Sequence, residues 1–222
     1  MLLYAITDRT QLPGPSDAAR RAALVSLAAE WAARNIDYIQ IREKDLAPAD
    51  LLSLSTEIVA AVRTRSTHTR ILLNGPATIA LEAHANGIHL PANAPLSAAA
   101  EARAHFASTG RDAVISYACH SRDQVIRARE EAQLNLDATS ANTLILFAPV
   151  FGKNISGEAP LPGQGLEALR AAAEAAHPIP VLALGGITHD NAQSCLAAGA
   201  AGIAAIRLFL TNNWESLKSA HL

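Results

Sequence analysis

PVLALGGITHDNAQSCLAAGAAGIAAIRLF, residues Pro180 to Phe209, holds one complete structural unit. The aliphatic run Pro180–Gly185 ends in two glycines. A segment with helical apolar spacing, His189–Ala198, follows, and a second aliphatic run spans Gly202–Phe209. Neither run alternates apolar with polar residues, as a strand with one solvated face would. Continuous apolar strands joined through an amphipathic helix belong to a parallel sheet covered by helices.

The same texture repeats towards the N-terminus. Strand-like runs occupy Leu2–Thr7, Tyr38–Arg42, Arg70–Asn74, Gly87–Leu90, Ala113–Cys119 and Thr143–Val150. Helical spacing marks Asp17–Arg34, Pro48–Arg65, Ser97–Ala107, Ser121–Glu131, Leu166–Ala176 and Trp214–Ala220. Asp17 and Ser121 are candidate N-caps, and Pro48 is a candidate first-turn proline. About eight strand–helix units in a chain of 222 residues favour a closed barrel over an open doubly wound sheet. The expected architecture is a single (β/α)8 TIM barrel spanning residues 1–222. Pro13–Pro15 and Gly152–Gly165 are loops within units, not linkers.

Composition narrows the function classes. Half of the residues are hydrophobic but only 4% are aromatic, so the core must be aliphatic and rich in alanine. A net charge of −2, with no basic block, gives no reason to expect nucleic acid or an anionic membrane as partner. Cys119 and Cys195 form no CxxC or metal-ligand spacing and suit a reducing compartment. No apolar run approaches the roughly 20 residues of a membrane helix, and no signal peptide precedes Leu2. The cytoplasm is the expected location; the oligomeric state stays open between monomer and homo-oligomer.

In such barrels the loops after the strands form the active-site face, which selects the polar residues at strand C-termini. Gln40, Arg42 and Lys44 share one face if the strand alternation continues. An arginine fork beside a lysine suits phosphate or diphosphate; an inter-strand salt-bridge layer with Glu43 or Asp8 explains the same residues equally well. Gly185-Gly186 after the seventh strand would let backbone N–H groups approach a phosphate, or would only make a tight turn. Replacing Gly186 should then weaken binding more than stability. His120 follows the fifth strand and is a candidate acid/base; a histidine bonded to a helix start is the plainer reading. His89 reads as structural, and no HxH or HExxH spacing suggests zinc. Lys153, in the glycine-rich loop after the sixth strand, could meet an anion. Asn74 and Arg207 complete the candidate substrate- and phosphate-binding set.

In order, Tyr4-Ala5-Ile6-Thr7-Asp8, Ile39 to Asp45, Leu73-Asn74-Gly75, Gly87 to Pro91, His120-Ser121, Pro149-Val150-Phe151, Gly163-Gln164-Gly165, Ala183 to Ile187 and Ala198 to Ala204 resemble the family of thiamine phosphate synthase and the TenI-type thiazole tautomerase. The resemblance covers almost the whole chain and implies the same barrel. Within it, the synthase joins a pyrimidine diphosphate to a thiazole phosphate with Mg²⁺, and Mg²⁺ takes oxygen ligands. The positions that resemble the synthase carboxylates are Gly75 and Ala94, and the serine expected two residues before His120 is Ala118. Gln40, Arg42 and Lys44 keep the synthase pattern for the pyrimidine diphosphate. Arg207 stands where both branches usually carry a small serine.

The resemblance therefore implies, first, a cofactor-free tautomerase that aromatises a thiazole carboxylate phosphate, with His120 moving the proton. The second reading is a thiamine phosphate synthase with a displaced Mg²⁺ site, using Asp8 or Asp45. A third is a non-catalytic relative that binds thiamine intermediates or a regulatory partner. All three expect a small phosphorylated thiazole or thiamine intermediate as ligand.

Overall fold

The computed structural model describes residues 1–95, 97–134, 142–152, 162–211, 214 and 216–219. Eight parallel strands close into a barrel in chain order: β1 (Leu2–Ile6), β2 (Tyr38–Ile41), β3 (Arg70–Leu73), β4 (Gly87–Leu90), β5 (Val114–Cys119), β6 (Thr143–Phe147), β7 (Val181–Leu184) and β8 (Gly202–Ala205). β8 pairs back onto β1, with Leu2 opposite Gly202 and Ala5 opposite Ala205, so the sheet has no exposed edge. The fold is the (β/α)8 barrel expected from the sequence.

The helices between strands are α1 (Asp17–Ala33), α2 (Pro48–Arg63), α3 (Ala77–Glu82), α4 (Ala98–Ala107), α5 (Arg122–Leu134), α6 (Gly165–Ala176) and α7 (His189–Ala197). The short α8 (Arg207–Leu210) and α9 (Ser216–Ser219) follow β8. α3 escaped the sequence reading because only six residues carry its period. No described helix is long and apolar enough to cross a membrane.

Strand alternation sorts side chains into two cores. Tyr4, Ile6, Leu72, Val114, Leu146 and Leu182 fill the barrel interior. Leu3, Ile39, Ile41 and Ile71 face outward and pack with helix residues such as Leu24, Ala28, Leu54 and Ile58. This two-sided burial is why the strands read as continuous apolar runs.

Three sequence boundaries need correction. The N-cap of α1 is Ser16, whose Oγ accepts the Ala19 N–H at 3.2 Å; Asp17 is the first helical residue. β6 stops at Phe147, short of Pro149, which has no N–H for the ladder. β8 stops at Ala205 rather than Phe209, and Arg207–Leu210 coils into α8. An apolar run cannot by itself distinguish strand from buried helix. Packing decides here: the Trp31 indole Nε1–H donates to the Phe209 carbonyl at 3.0 Å, and the Phe209 ring meets the edges of Trp31 and Trp214. Ser121 does cap α5, accepting the Gln124 N–H at 3.3 Å, and Pro48 opens α2.

Candidate active site

Arg42, Asn74, His120 and Gly185-Gly186 directly follow β2, β3, β5 and β7. A closed parallel barrel carries such positions on one rim. Arg207 begins α8 just past β8 and is exposed. Gln40 lies deeper, buried inside the barrel. Lys153 lies outside the described residues.

The expected shared face of Gln40, Arg42 and Lys44 holds only in part. β2 ends at Ile41, Arg42 is half-buried, and Lys44 is exposed in a turn. The chain leaves the strand because Glu43 is drawn inward. Its carboxylate accepts the Thr7 hydroxyl at 2.6 Å and the Arg9 guanidinium at 3.1 Å. Arg9 is itself only 4% exposed and grips Asp45 through two hydrogen bonds of 2.7 Å. That contact holds the Asp45 carboxyl below the usual carboxylate range. Asp17 adds a third acceptor at 3.0 Å. Asp8 is occupied elsewhere, accepting from Thr10 and Gln11.

The salt-bridge layer thus exists, but its cation is Arg9, a residue the sequence reading passed over. Among the described residues Arg42 and Lys44 make no ion pair. Arg42 is fixed by its backbone, whose N–H donates to Thr7 Oγ1 at 2.9 Å. A half-buried guanidinium without a carboxylate is suited to an incoming anion.

His120 is exposed at the rim, with its ring oriented from below. Nδ1 lies 2.7 Å from the Ala148 carbonyl, which can only accept, so Nδ1 carries the proton. Nε2 is then the nitrogen left to exchange a proton in the neutral ring. The Gln164 amide donates to the same Ala148 carbonyl at 2.8 Å, which ties the Gly163-Gln164-Gly165 motif to the end of β6. The His120 backbone N–H donates to Gln124 Oε1 at the start of α5. The helix-start contact and the acid/base geometry therefore coexist.

Gly185 and Gly186 both adopt positive φ, +98° and +65°. A Cβ on Gly185 would come within 2.8 Å of Pro149, and one on Gly186 within 2.7 Å of the Phe151 Cβ. The glycines are thus required by the packing of the β7 loop on the β6 loop, before any ligand is considered. No described backbone acceptor takes the Gly186 N–H, and a free N–H of this kind can donate to an anion.

Beneath the rim lies a polar chain that the sequence reading missed. The Tyr4 hydroxyl donates to Gln40 Oε1 at 3.1 Å and lies 3.0 Å from Ser116 Oγ, which lies 2.8 Å from His89 Nδ1. All four residues are buried. Burial, with a lesser contribution from the charge of Arg42, pushes the His89 pKa down to about 3. Register offered a signal, since His89 pairs directly with Ser116 across β4 and β5. Strand pairing, however, is not visible in one chain's periodicity.

The chain matches the family model described as thiamine monophosphate synthase over residues 3–209. It belongs to the thiamine monophosphate synthase family. The thiamine-phosphate synthase of Corynebacterium jeikeium is 30% identical over 188 residues, covering 83% of this chain and 80% of that protein. That of Methanoculleus marisnigri is 32% identical over 204 residues, covering 92% and 85%. Among solved structures, the thiamine phosphate pyrophosphorylase of Pyrococcus furiosus superposes with a TM-score of 0.72 at 22% identity, covering 97% of this chain and 90% of that one, and supports the fold. The tautomerase refinement finds no support in these names.

For a Mg²⁺ ion of the synthase kind, the donors in this family member fit poorly. Among the described residues no three His, Cys, Asp or Glu side chains are grouped so that they could hold a metal ion; Glu43, Asp45 and Asp17 meet around Arg9 instead. The two carboxylates proposed as substitutes, Asp8 and Asp45, are held by Thr10 and Gln11 and by Arg9. Gly75 and the half-buried Ala94 offer no side-chain oxygen.

Proposed function

We propose that this enzyme binds phosphorylated pyrimidine and thiazole intermediates of thiamine biosynthesis at the barrel rim and joins them with loss of diphosphate. This is the transfer of the second sequence reading, without the Mg²⁺ site which that reading put at Asp8 or Asp45, since Arg9, Thr10 and Gln11 hold those carboxylates. The names of the curated relatives favour it over the tautomerisation placed first. The observation that carries it is Arg42, a half-buried guanidinium without a carboxylate partner among the described residues, while Arg9 takes up both neighbouring acids. Arg42 and Lys44 meet the charge that grows on the departing diphosphate, and Gln40 orients the pyrimidine. Fixed cations at developing charge are the main electrostatic lever of such a reaction. Asn74 lines the same rim. The Gly185 and Gly186 amides, with Arg207, hold the thiazole phosphate. No resident metal or organic cofactor is assigned, and the buried, unpaired Cys119 and Cys195 suit the cytoplasm.

Tautomerisation, first among the sequence readings, is kept as the alternative because of His120. Its tethered Nδ1 and exposed Nε2 suit single-proton transfer at carbon, a step that needs no carboxylate-bound metal. The test is to supply the purified enzyme with both precursors of thiamine phosphate, over a range of Mg²⁺ concentrations. Product formation is expected. Failure at every concentration, with conversion of the non-aromatic thiazole carboxylate phosphate instead, would overturn the transfer and establish the tautomerase. In that case His120→Asn should cut turnover by about 10²–10⁴-fold. Tight binding with neither conversion would return the non-catalytic reading.

A further inference from the structure

The buried chain His89–Ser116–Tyr4–Gln40 has a direction. Tyr4 spends its only proton on Gln40 Oε1. The contact between Tyr4 and Ser116 at 3.0 Å then needs the serine proton, so Ser116 is the donor there. With that proton used, Ser116 Oγ can only accept from His89 at 2.8 Å. His89 must therefore be protonated on Nδ1. Its low pKa leaves Nε2 bare. Neither His89 Nε2 nor the Gln40 amide nitrogen has a hydrogen-bond partner among the described residues.

We propose that His89, Ser116 and Tyr4 are positioning residues whose one-way hydrogen-bond chain locks Gln40 as a hydrogen-bond donor to the substrate. The opposite polarity is the natural competitor. If the Gln40 amide flipped, every link would reverse, His89 would carry its proton on Nε2, and Gln40 would offer a carbonyl. An amide turned nitrogen-outward suits an anionic oxygen or a ring nitrogen and rejects a donor. The selection operates at the far end: His89, on β4 two strands round the barrel from β2, decides what Gln40 can bind. The inference rests on the proposed function only in placing Gln40 against substrate; the tautomer of His89 stands independently of the reaction.

Two measurements test it. In the wild-type enzyme without substrate, ¹⁵N-resolved NMR of labelled histidine at pH 7.5 should show His89 with a protonated Nδ1 and a bare Nε2. The opposite tautomer, or a rapidly averaged mixture, would overturn the proposal whatever the enzyme's reaction. The second measurement uses Tyr4→Phe, which cuts the chain while leaving Gln40 and His89 in place. It should raise KM about 3- to 30-fold with a smaller change in kcat, and His89 should become a tautomer mixture. Gln40→Glu, which still accepts from Tyr4 but cannot donate, should raise KM at least tenfold. Unchanged KM in Gln40→Glu, with an unchanged melting temperature, would mean that Gln40 acts as an acceptor and would overturn the proposal. Should wild type catalyse neither reaction, a Kd for the pyrimidine diphosphate replaces KM, so loss of the proposed function and loss of the chain are read separately.

Discussion

His89 is neutral inside the barrel at ordinary pH, and that has a consequence for stability. Its pKa falls from the ordinary 6.5 to about 3 on folding. Between those values the unfolded chain binds a proton that the native chain refuses. The contribution is fully present above about pH 6.5 and is lost as the pH falls, by at most about 1.4 kcal/mol per pH unit. Denaturant unfolding at pH 7 and pH 5 should show wild type losing about 1–2 kcal/mol more than His89→Gln. Identical losses in the two proteins would contradict burial of a neutral imidazole. Arg42 belongs to the same scale. Hydrogen bonds to charged groups contribute about 1.5–3 kcal/mol, so Arg42→Ala should raise KM for the diphosphate substrate by roughly 10- to 100-fold. The check is steady-state kinetics beside an unchanged melting temperature; a KM within twofold of wild type would remove Arg42 from the site.

The loops between elements carry the most demanding local packing. Arg9 joins the loop after β1 to the loop after β2 through Glu43 and Asp45, with Glu43 buried. Arg9→Met would leave that carboxylate without its cation, a change that typically costs about 3–5 kcal/mol. Calorimetry should show the loss, and activity should fall with it because Arg42 directly precedes Glu43 and its backbone N–H is held by Thr7, which also donates to Glu43. At the β7 loop the expectation drawn from Gly186 changes. Its φ of +65° and the 2.7 Å approach to Phe151 mean that a side chain there strains the fold before it reaches a ligand. Gly186→Val should therefore lower stability by several kcal/mol as well as weaken binding, adding left-handed strain to overpacking. A variant that melts like wild type would show that the β6 loop moves aside at little cost.

For the whole molecule, closure of the barrel depends on joining its two ends. The ladder between β8 and β1 is reinforced outside the sheet by Trp31 of α1, Phe209 of α8 and Trp214. Both tryptophans of the chain are gathered here. Phe209→Ala should cost about 3–5 kcal/mol and lower Tm by roughly 2–4 °C for each of them. Because α8 places Arg207, affinity for thiazole phosphate should decline in the same variant; a loss of stability with full affinity would separate the seam from the site.

The architecture was legible because a strand covered on both faces must be apolar throughout and the helix after it must be amphipathic. That pattern is local, and residues such as Val181–Leu184 and His189–Ala197 display it without reference to any other part of the chain. The rim positions Arg42, Asn74, His120 and Gly185-Gly186 were legible for the same reason, since a position just after a strand is defined by the chain itself. Partnership was not legible. Whether Glu43 would neutralise Arg42 or Arg9, whether His89 would point into the barrel towards Ser116, and whether Leu208 and Phe209 would extend a strand or turn into a helix all depend on distances between segments far apart in sequence. The sequence alone determined the barrel and the residues on its rim. Only the tertiary structure decided which charges remained uncommitted and which way the buried protons ran, because both follow from close contacts that closing the barrel creates.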